Sequence, residues 1–410
     1  MEIRSIAEGI QAVGVTAVAE KQPCEVENMV LAFLAVHQVK MVACIFHEQR
    51  VCEESLSHQF ETGELQQKVK AREIDPHTLI HKAILENNAE VIRFLLAHGV
   101  DVDYPDENGM SPLTVAILNG CSNVVKELLE HGADTNPDVK WNDMPLLELA
   151  LYLEDLSSTK LLLEYGANAN FNLHGQWEAW TPLTFVMVKL KNFELAKLMV
   201  NAGAFVNNRK DPARSPLAVA AGYSSPIDFI RFLIEKGADV NLKYKDNHPK
   251  ATELSLFWRV IQQKDDELIK VFVEGGVNLN ESPCLAHCIG NNYSSEIIYF
   301  LIENGANVNG TLESPGGPLQ IALVRNNLAI VNYLIDHGAD VNLHHPLSYT
   351  PLMQAVQSGD LNLVKVLVES GANVNKTCIR NGKAISPLKI AVELNKPAVV
   401  QYLLQHGAKG

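Results

Sequence analysis

Positive charge is what this chain is short of. It carries 34 Lys and Arg against 48 Asp and Glu, a formal net charge of −14, and the basic residues form no dense run. Nucleic acids and anionic lipid surfaces are gripped by clustered Lys and Arg, so neither is expected as the main partner. Long apolar runs are also missing. The longest stretch, Met29 to Phe46, is interrupted by His37, Gln38 and Lys40, whereas a membrane helix needs about 20 apolar residues. No membrane insertion is therefore expected. The first residues, Met1-Glu-Ile-Arg, form no basic leader, and Glu8 and Gln11 break any apolar run behind them; no secretory signal is read.

Patterned cysteine is absent too. The 7 cysteines, Cys24, Cys44, Cys52, Cys121, Cys284, Cys288 and Cys378, are odd in number and irregular in spacing. That favours free thiols in a reducing, cytoplasmic compartment over a disulfide framework. Cys284, His287 and Cys288 look like half a metal site, but no second pair lies near and a structural zinc normally takes four ligands. No metal is expected. No phosphate loop, Gly-x-Ser-x-Gly elbow, His-Glu-x-x-His or kinase signature occurs, so no catalytic residue and no cofactor are assigned. In residues 1–72, Cys24, Cys44 and Cys52 accompany His37, His47 and His58. A Cys-His nucleophilic pair is conceivable there, but both residue types are ordinary occupants of helical cores and surfaces. The chain is read as no enzyme, with residues 1–72 the one open segment.

What is abundant is repetition. A leucine-rich run closed by a Gly-Ala-Asp/Asn-x-Asn box recurs, as in Phe232-Leu-Ile-Glu-Lys-Gly237-Ala-Asp-Val-Asn241 and Val366-Leu-Val-Glu-Ser-Gly371-Ala-Asn-Val-Asn375. The box glycines are Gly99, Gly132, Gly166, Gly203, Gly237, Gly276, Gly305, Gly338, Gly371 and Gly407, at spacings of 33, 34, 37, 34, 39, 29, 33, 33 and 36 residues. Such a period means one supersecondary unit stacked many times. Ser or Thr followed by Pro-Leu recurs at Ser111, Thr181, Ser215, Thr350 and Ser386. It predicts a helix start, with the hydroxyl capping the first turn and Pro at a position whose N–H would be unpaired anyway. A short helix and then a second, amphipathic one are predicted to come next, the box glycine ending the second in a left-handed conformation. Neither helix can bury its apolar face alone, so Leu128, Leu129, Leu162, Leu163, Leu233, Leu334, Leu367 and Leu403 are predicted core. Ala83, Ala116, Ala220, Ala322, Ala355 and Ala391 recur in the first helix as points of closest approach.

Thr-Pro-Leu, then Ala, then Leu-Leu, then Gly-Ala-Asp-Val-Asn resembles the ankyrin repeat, over residues 74–410 and about ten copies. The resemblance implies an all-α solenoid of paired helices, each joined to the next by a hairpin-like finger. It also implies a concave side that carries the fingers and the first helices. There are departures. The family's His after Thr-Pro-Leu occurs only as His81, and the small position is read as Leu149, Val186, Phe257 and His287 in the third, fourth, sixth and seventh repeats. Bulky residues there, beside spacings of 39 and 29 residues, predict a local distortion around residues 245–295. The resemblance also makes the last box Asn (Asn241, Asn309, Asn342, Asn375) a candidate for asparaginyl hydroxylation.

Residues 1–72 lack the box. Helices are expected at about 2–20, 25–48 and 53–72, with breaks at Pro23 and Gly63. The segment serves either as a cap on the apolar flank of the first repeat or as a small module with its own activity; a degenerate repeat can also lie within it. Candidate contact residues lie in the fingers: Tyr104, Trp141, Trp177, Trp180, Tyr244 and Tyr349, large rings of the kind that dominate protein interfaces. A basic group of Arg209, Lys210, Arg214, Lys243, Lys245 and Lys250 lies beside them. The rings either meet a partner or pack back on adjacent fingers, and the basic group either receives an acidic segment or is solvated. The function expected is a non-enzymatic scaffold or adaptor, monomeric alone, that holds another protein or peptide. The competing readings are a bacterial effector acting in host cytosol, its N-terminal segment active and its repeats selecting the target, and a structural or assembly protein.

Overall fold

Short helices in this chain start and stop on chemistry visible in the sequence. In the computed structural model, which describes residues 55–137, 144–174, 180–223, 225–245, 253–310, 317–343, 349–380 and 383–409, the Ser111, Thr181, Thr350 and Ser386 hydroxyls each accept the backbone N–H three residues on, at 3.2 Å. Ser215 differs. Its Oγ instead accepts the Asn208 N–H at 3.0 Å, tying a finger to its own helix start. All ten box glycines are left-handed, with φ from 84° to 93°. The residue after each closes the helix end by donating back across the turn, as Ala133 does to the Leu128 carbonyl at 3.0 Å.

The chain divides into two compact units, Met1–Tyr223 and Ser224–Gly410. In the first, α1 (Leu56–Glu61) and α2 (Glu64–Lys70) precede the helix pairs α3 (Ile80–Leu85) with α4 (Ala89–Ala97), α5 (Pro112–Leu118) with α6 (Ser122–Glu130), and α7 (Leu146–Tyr152) with α8 (Leu156–Glu164). Next come α9 (Pro182–Phe185), prolonged by a π-turn at Val186–Leu190, α10 (Phe193–Asn201) and α11 (Pro216–Gly222). The second unit holds α12 (Ile227–Glu235), the hairpin β1 (Lys243–Lys245) with β2 (Glu253–Ser255), α13 (Leu256–Gln262) and α14 (Asp266–Glu274). Beyond them lie the pairs α15 (Cys284–Gly290) with α16 (Ser295–Glu303), α17 (Pro318–Val324) with α18 (Leu328–Asp336), and α19 (Pro351–Ser358) with α20 (Leu361–Glu369). A hairpin of β3 (Cys378–Arg380) with β4 (Lys383–Ile385) leads to α21 (Pro387–Glu393) and α22 (Pro397–Gln405). Each unit is an all-α stack: first helix packs on first helix and second on second, as the all-α solenoid reading expects.

The close-approach register needs correction in three repeats. Pro145 is the N-cap of α7 and Pro283 that of α15, so both helices begin one residue later than a Ser/Thr-Pro start would place them; Ser255 caps α13. The small position is therefore held by Ala150, Val260 and Cys288, not by Leu149, Phe257 or His287. With Ala83, Ala116, Val186, Ala220, Ala322, Ala355 and Ala391, all ten occupants of this register are 0% exposed. The Val260 and Cys288 side chains are larger than the alanine that holds this register in the later repeats of the unit. The helices between residues 253 and 303 otherwise keep the lengths seen elsewhere. The irregular helix is in the fourth repeat. One extra residue is absorbed there by the π-turn, which ends with Lys191 in a left-handed conformation at φ 50°.

The box asparagines form a ladder between repeats. Asn342 Nδ2 donates to the Gly371 carbonyl at 3.1 Å, and its Oδ1 accepts the Asn373 N–H at 2.8 Å. Asn136 does the same with Gly166 and Asn168, Asn280 with Gly305 and Asn307, Asn309 with Gly338 and Asp340, and Asn375 with Gly407 and Lys409. One amide thus satisfies a donor and an acceptor of the next repeat, which fixes the base of each finger.

One ion pair joins the first two repeats. The Arg93 guanidinium grips Glu127, Nε donating to Oε2 at 3.1 Å and Nη2 to Oε1. The Arg93 hydrogen bond is the largest influence on Glu127, and the net effect holds its carboxyl below the ordinary 4.5. A carboxylate with a depressed folded pKa stabilises the fold fully above its unfolded pKa and loses that contribution as pH falls through the folded value. The urea midpoint of the wild-type chain should accordingly fall as pH drops below about 4.5, and Glu127→Gln should flatten the fall. An identical pH profile for the variant would remove the pair from the account.

Candidate functional site

In several repeats polar side chains hold the described part of a finger onto the helices beside it. In the third repeat, Glu148 of α7 is 0% exposed. Its Oε1 accepts the His174 backbone N–H at 2.7 Å, and its Oε2 meets His174 Nδ1 at 2.8 Å. The Tyr152 hydroxyl donates to the His174 carbonyl at 2.8 Å. Burial first, then the neighbouring Glu148 carboxylate, push the Tyr152 phenol well above its ordinary value. One carboxylate and one phenol therefore hold the stem of the finger, and Leu173 beside it is buried. A Glu in an amphipathic helix ordinarily reads as solvent-facing, so no signal in the sequence marks this site.

Tyr104 lies beside His77, ring centroids 4.9 Å apart, and its carbonyl accepts from His81 Nε2 at 2.9 Å. The ring thus packs back on the first repeat while staying 40% exposed. Trp180 and Arg214 are brought together, the guanidinium 5.5 Å from the ring centroid, and Arg214 also pairs with Asp211 at 3.2 Å. Arg209 and Lys210 are exposed. They sit on a turn held by Asn208, whose Oδ1 accepts the Lys210 and Asp211 N–H groups, each at 3.1 Å. Trp141, Trp177 and Lys250 lie outside the described residues.

In the second unit, Tyr244 of β1 stands opposite Leu254 of β2, and Lys243 pairs with Glu281 at 3.1 Å. Tyr349 is half-buried, its carbonyl accepting from Gln320 Nε2 at 3.0 Å. Sequence reasoning passed over Trp258 on α13, which meets His287 of α15 edge-on at 4.7 Å. Burial, then Lys264, depresses the His287 imidazole. The connection between α14 and α15 has no finger. A cleft of about 30 Å³ there, lined by Leu279, Pro283, Gly310 and Pro318, has room for two or three waters and not for a cofactor. Asn241, Asn309, Asn342 and Asn375, the hydroxylation candidates, are rungs of the amide ladder, Asn309 half-buried and the others exposed, with both ends of each side chain engaged.

Cys284 and Cys288 face the core of the seventh repeat. Burial raises the Cys284 thiol to about 11 and, with the neighbouring Cys284, that of Cys288 to about 12. Thiolate is the reacting form. Both should resist iodoacetamide at pH 8 in the native protein and react once urea unfolds it, as peptide mass mapping would record; rapid native labelling of either would contradict the packing.

No group of three or more His, Cys, Asp or Glu suited to a metal ion occurs among the described residues. Among the same residues, no helix is long and apolar enough to cross a membrane. The family profile described as Ankyrin repeats (3 copies) matches residues 40–138, 147–244, 256–345 and 340–410. A putative ankyrin repeat protein of Fowlpox virus (strain NVSL) is 30% identical over 34% of this chain and 33% of its own length. A second from the same virus is 26% identical over 52% of each. One of Rickettsia bellii (strain RML369-C) is 32% identical over 25% of this chain and 54% of its own. The chain spans between about a third and about half the length of these relatives.

Proposed function

Because this chain belongs to the ankyrin-repeat family, whose repeats are generally protein–protein interaction modules, we propose that it is a non-enzymatic scaffold or adaptor. It binds a protein or peptide on the surface formed by its fingers and first helices. The observation that carries this reading is the amide ladder together with the Glu148 anchor: finger bases are fixed before any partner arrives, so little ordering cost attends binding. The contact residues proposed are Tyr104, Trp141, Trp177, Trp180, Arg209, Lys210, Arg214, Tyr244 and Tyr349.

Residues 55–70 are proposed as the inner part of an N-terminal cap. Glu86 of the first repeat accepts the Leu56 N–H at 2.8 Å and the Ser57 N–H at 2.9 Å, together with the Ser55 and Ser57 hydroxyls. Burial raises the Glu86 carboxyl, and these hydrogen bonds outweigh it to leave a net depression. Phe60 packs on Phe94 at 5.6 Å, while Leu56 and Leu65 are buried.

Affinity capture with the intact chain, followed by mass spectrometry, tests the reading. A specific protein partner is expected, and Trp141→Ala with Trp177→Ala should weaken it by about 1–4 kcal/mol. Recovery of turnover on a small substrate, with no protein retained, would sink the proposal. The second reading, a bacterial effector in host cytosol whose N-terminal segment is active and whose repeats select the target, is consistent with relatives from a virus and a bacterium.

A further inference from the structure

One internal box breaks the rule its neighbours obey. In eight boxes, the Asp or Asn after Gly-Ala or Gly-Val accepts, through its side chain, the N–H of the residue two positions on, at 2.8–3.1 Å. Asp134, Asn168 and Asp340 are examples. In the fourth box that place is taken by Phe205, whose ring cannot accept such a bond and is 65% exposed. The backbone there is ordinary, since the Phe205 N–H donates to Asn170 Oδ1 at 2.8 Å as its counterparts do elsewhere in the ladder. Only the side chain departs. A local rule broken by a ring left 65% exposed is expected most often at a functional or strained position.

The turn just after Phe205 gives the departure its chemistry. Arg209 and Lys210 are exposed and meet no carboxylate among the described residues, whereas Arg214 is already paired with Asp211. Their turn is rigid. Asn208 Oδ1 holds its backbone, and the Asn208 N–H is bonded to the buried Ser215 hydroxyl at 3.0 Å. A fixed basic turn within five residues of an exposed ring, on a chain of net charge −14, complements an anionic partner locally while the protein as a whole repels polyanions such as nucleic acid.

We propose that Phe205, Arg209 and Lys210 form the docking patch for an acidic protein segment that carries an apolar residue. The ring covers the apolar residue and the two cations face its carboxylates. This rests on the reading of the chain as a protein-binding module and names the partner chemistry for one finger of it.

The test uses the full chain and a labelled peptide in which glutamates flank a central Leu-Phe pair. Its controls are the same peptide with Gln for Glu and the same with Ser for Leu-Phe, all read by fluorescence anisotropy. The wild type should bind the acidic peptide at least about tenfold more tightly than either control, and added salt should weaken it. Phe205→Asp supplies the acceptor that the other boxes carry, so it should leave the thermal unfolding midpoint no lower than that of the wild type while weakening the peptide about tenfold or more. Arg209→Glu with Lys210→Glu should weaken it similarly and remove the salt dependence. A lowered midpoint in Phe205→Asp would make the ring structural and overturn the proposal. So would indifference of the wild type between acidic and Gln peptides, or preferential binding of duplex DNA or phosphatidylserine vesicles. Peptide binding unchanged in all these variants would overturn this patch alone and leave the binding-module reading standing, because docking would then lie on another part of the chain.

Discussion

Leu334→Ala should lower the unfolding free energy of the Ser224–Gly410 unit by about 2–5 kcal/mol. Leu334 lies on α18 and is 0% exposed, as are Leu128, Leu233, Leu301, Leu367 and Leu403 at the same register of their second helices. The truncation removes methyl groups from a seam shared with the neighbouring helices α16 and α20, so the void has walls on both sides and closes poorly. In a linear array, stability is a sum of repeat terms and interface terms. The loss should therefore appear as earlier exchange of amide hydrogens in the eighth repeat and its two neighbours. Urea titration followed by circular dichroism gives the energy, and a loss below about 1 kcal/mol would mean that the second helices do not share a packed seam.

Glu148→Ala is expected to cost about 2–4 kcal/mol. Leaving a buried donor without its acceptor costs about 1–3 kcal/mol, and two donors of the half-exposed His174, its backbone N–H and its ring Nδ1, rest on Glu148. Two His174 N–H donors lose their acceptor at once, so the third finger should detach as well as the fold weaken. Glu148→Gln keeps one acceptor and the shape, and should cost less than half as much. Hydrogen exchange at residues 170–174 distinguishes the two effects: rapid exchange in the Ala variant and near-native protection in the Gln variant. Equal stability of Glu148→Ala and wild type would show the carboxylate to be hydrated in solution.

Local chemistry made much of this fold legible. The helix starts at Ser111, Thr181, Thr350 and Ser386 and the ten left-handed glycines are set by a cap hydroxyl or a missing Cβ within a few residues, so sequence alone locates them. The close-approach register was harder. Pro145 and Pro283 look like first-turn prolines but occupy the cap, and a shift of one residue moved Ala150 and Cys288 out of view. The fingers were legible as variable segments but not in their attachment. Glu148 and His174 are 26 positions apart, and nothing in either neighbourhood tells of the other. Phe205 could have been found by comparing it with the Asp and Asn of the other boxes. Tyr104 packs against His77 of the first repeat and stays 40% exposed, a placement that nothing in the sequence around it tells.

The most direct test of the central claim is hydrogen–deuterium exchange of the intact chain, alone and with its captured protein partner. The account predicts added protection in the fingers and first helices, including residues 101–111, 204–215 and 242–245, with the second helices unchanged. Protection confined to residues 1–54, or to the outer faces of α4, α6, α18 and α20, would contradict it.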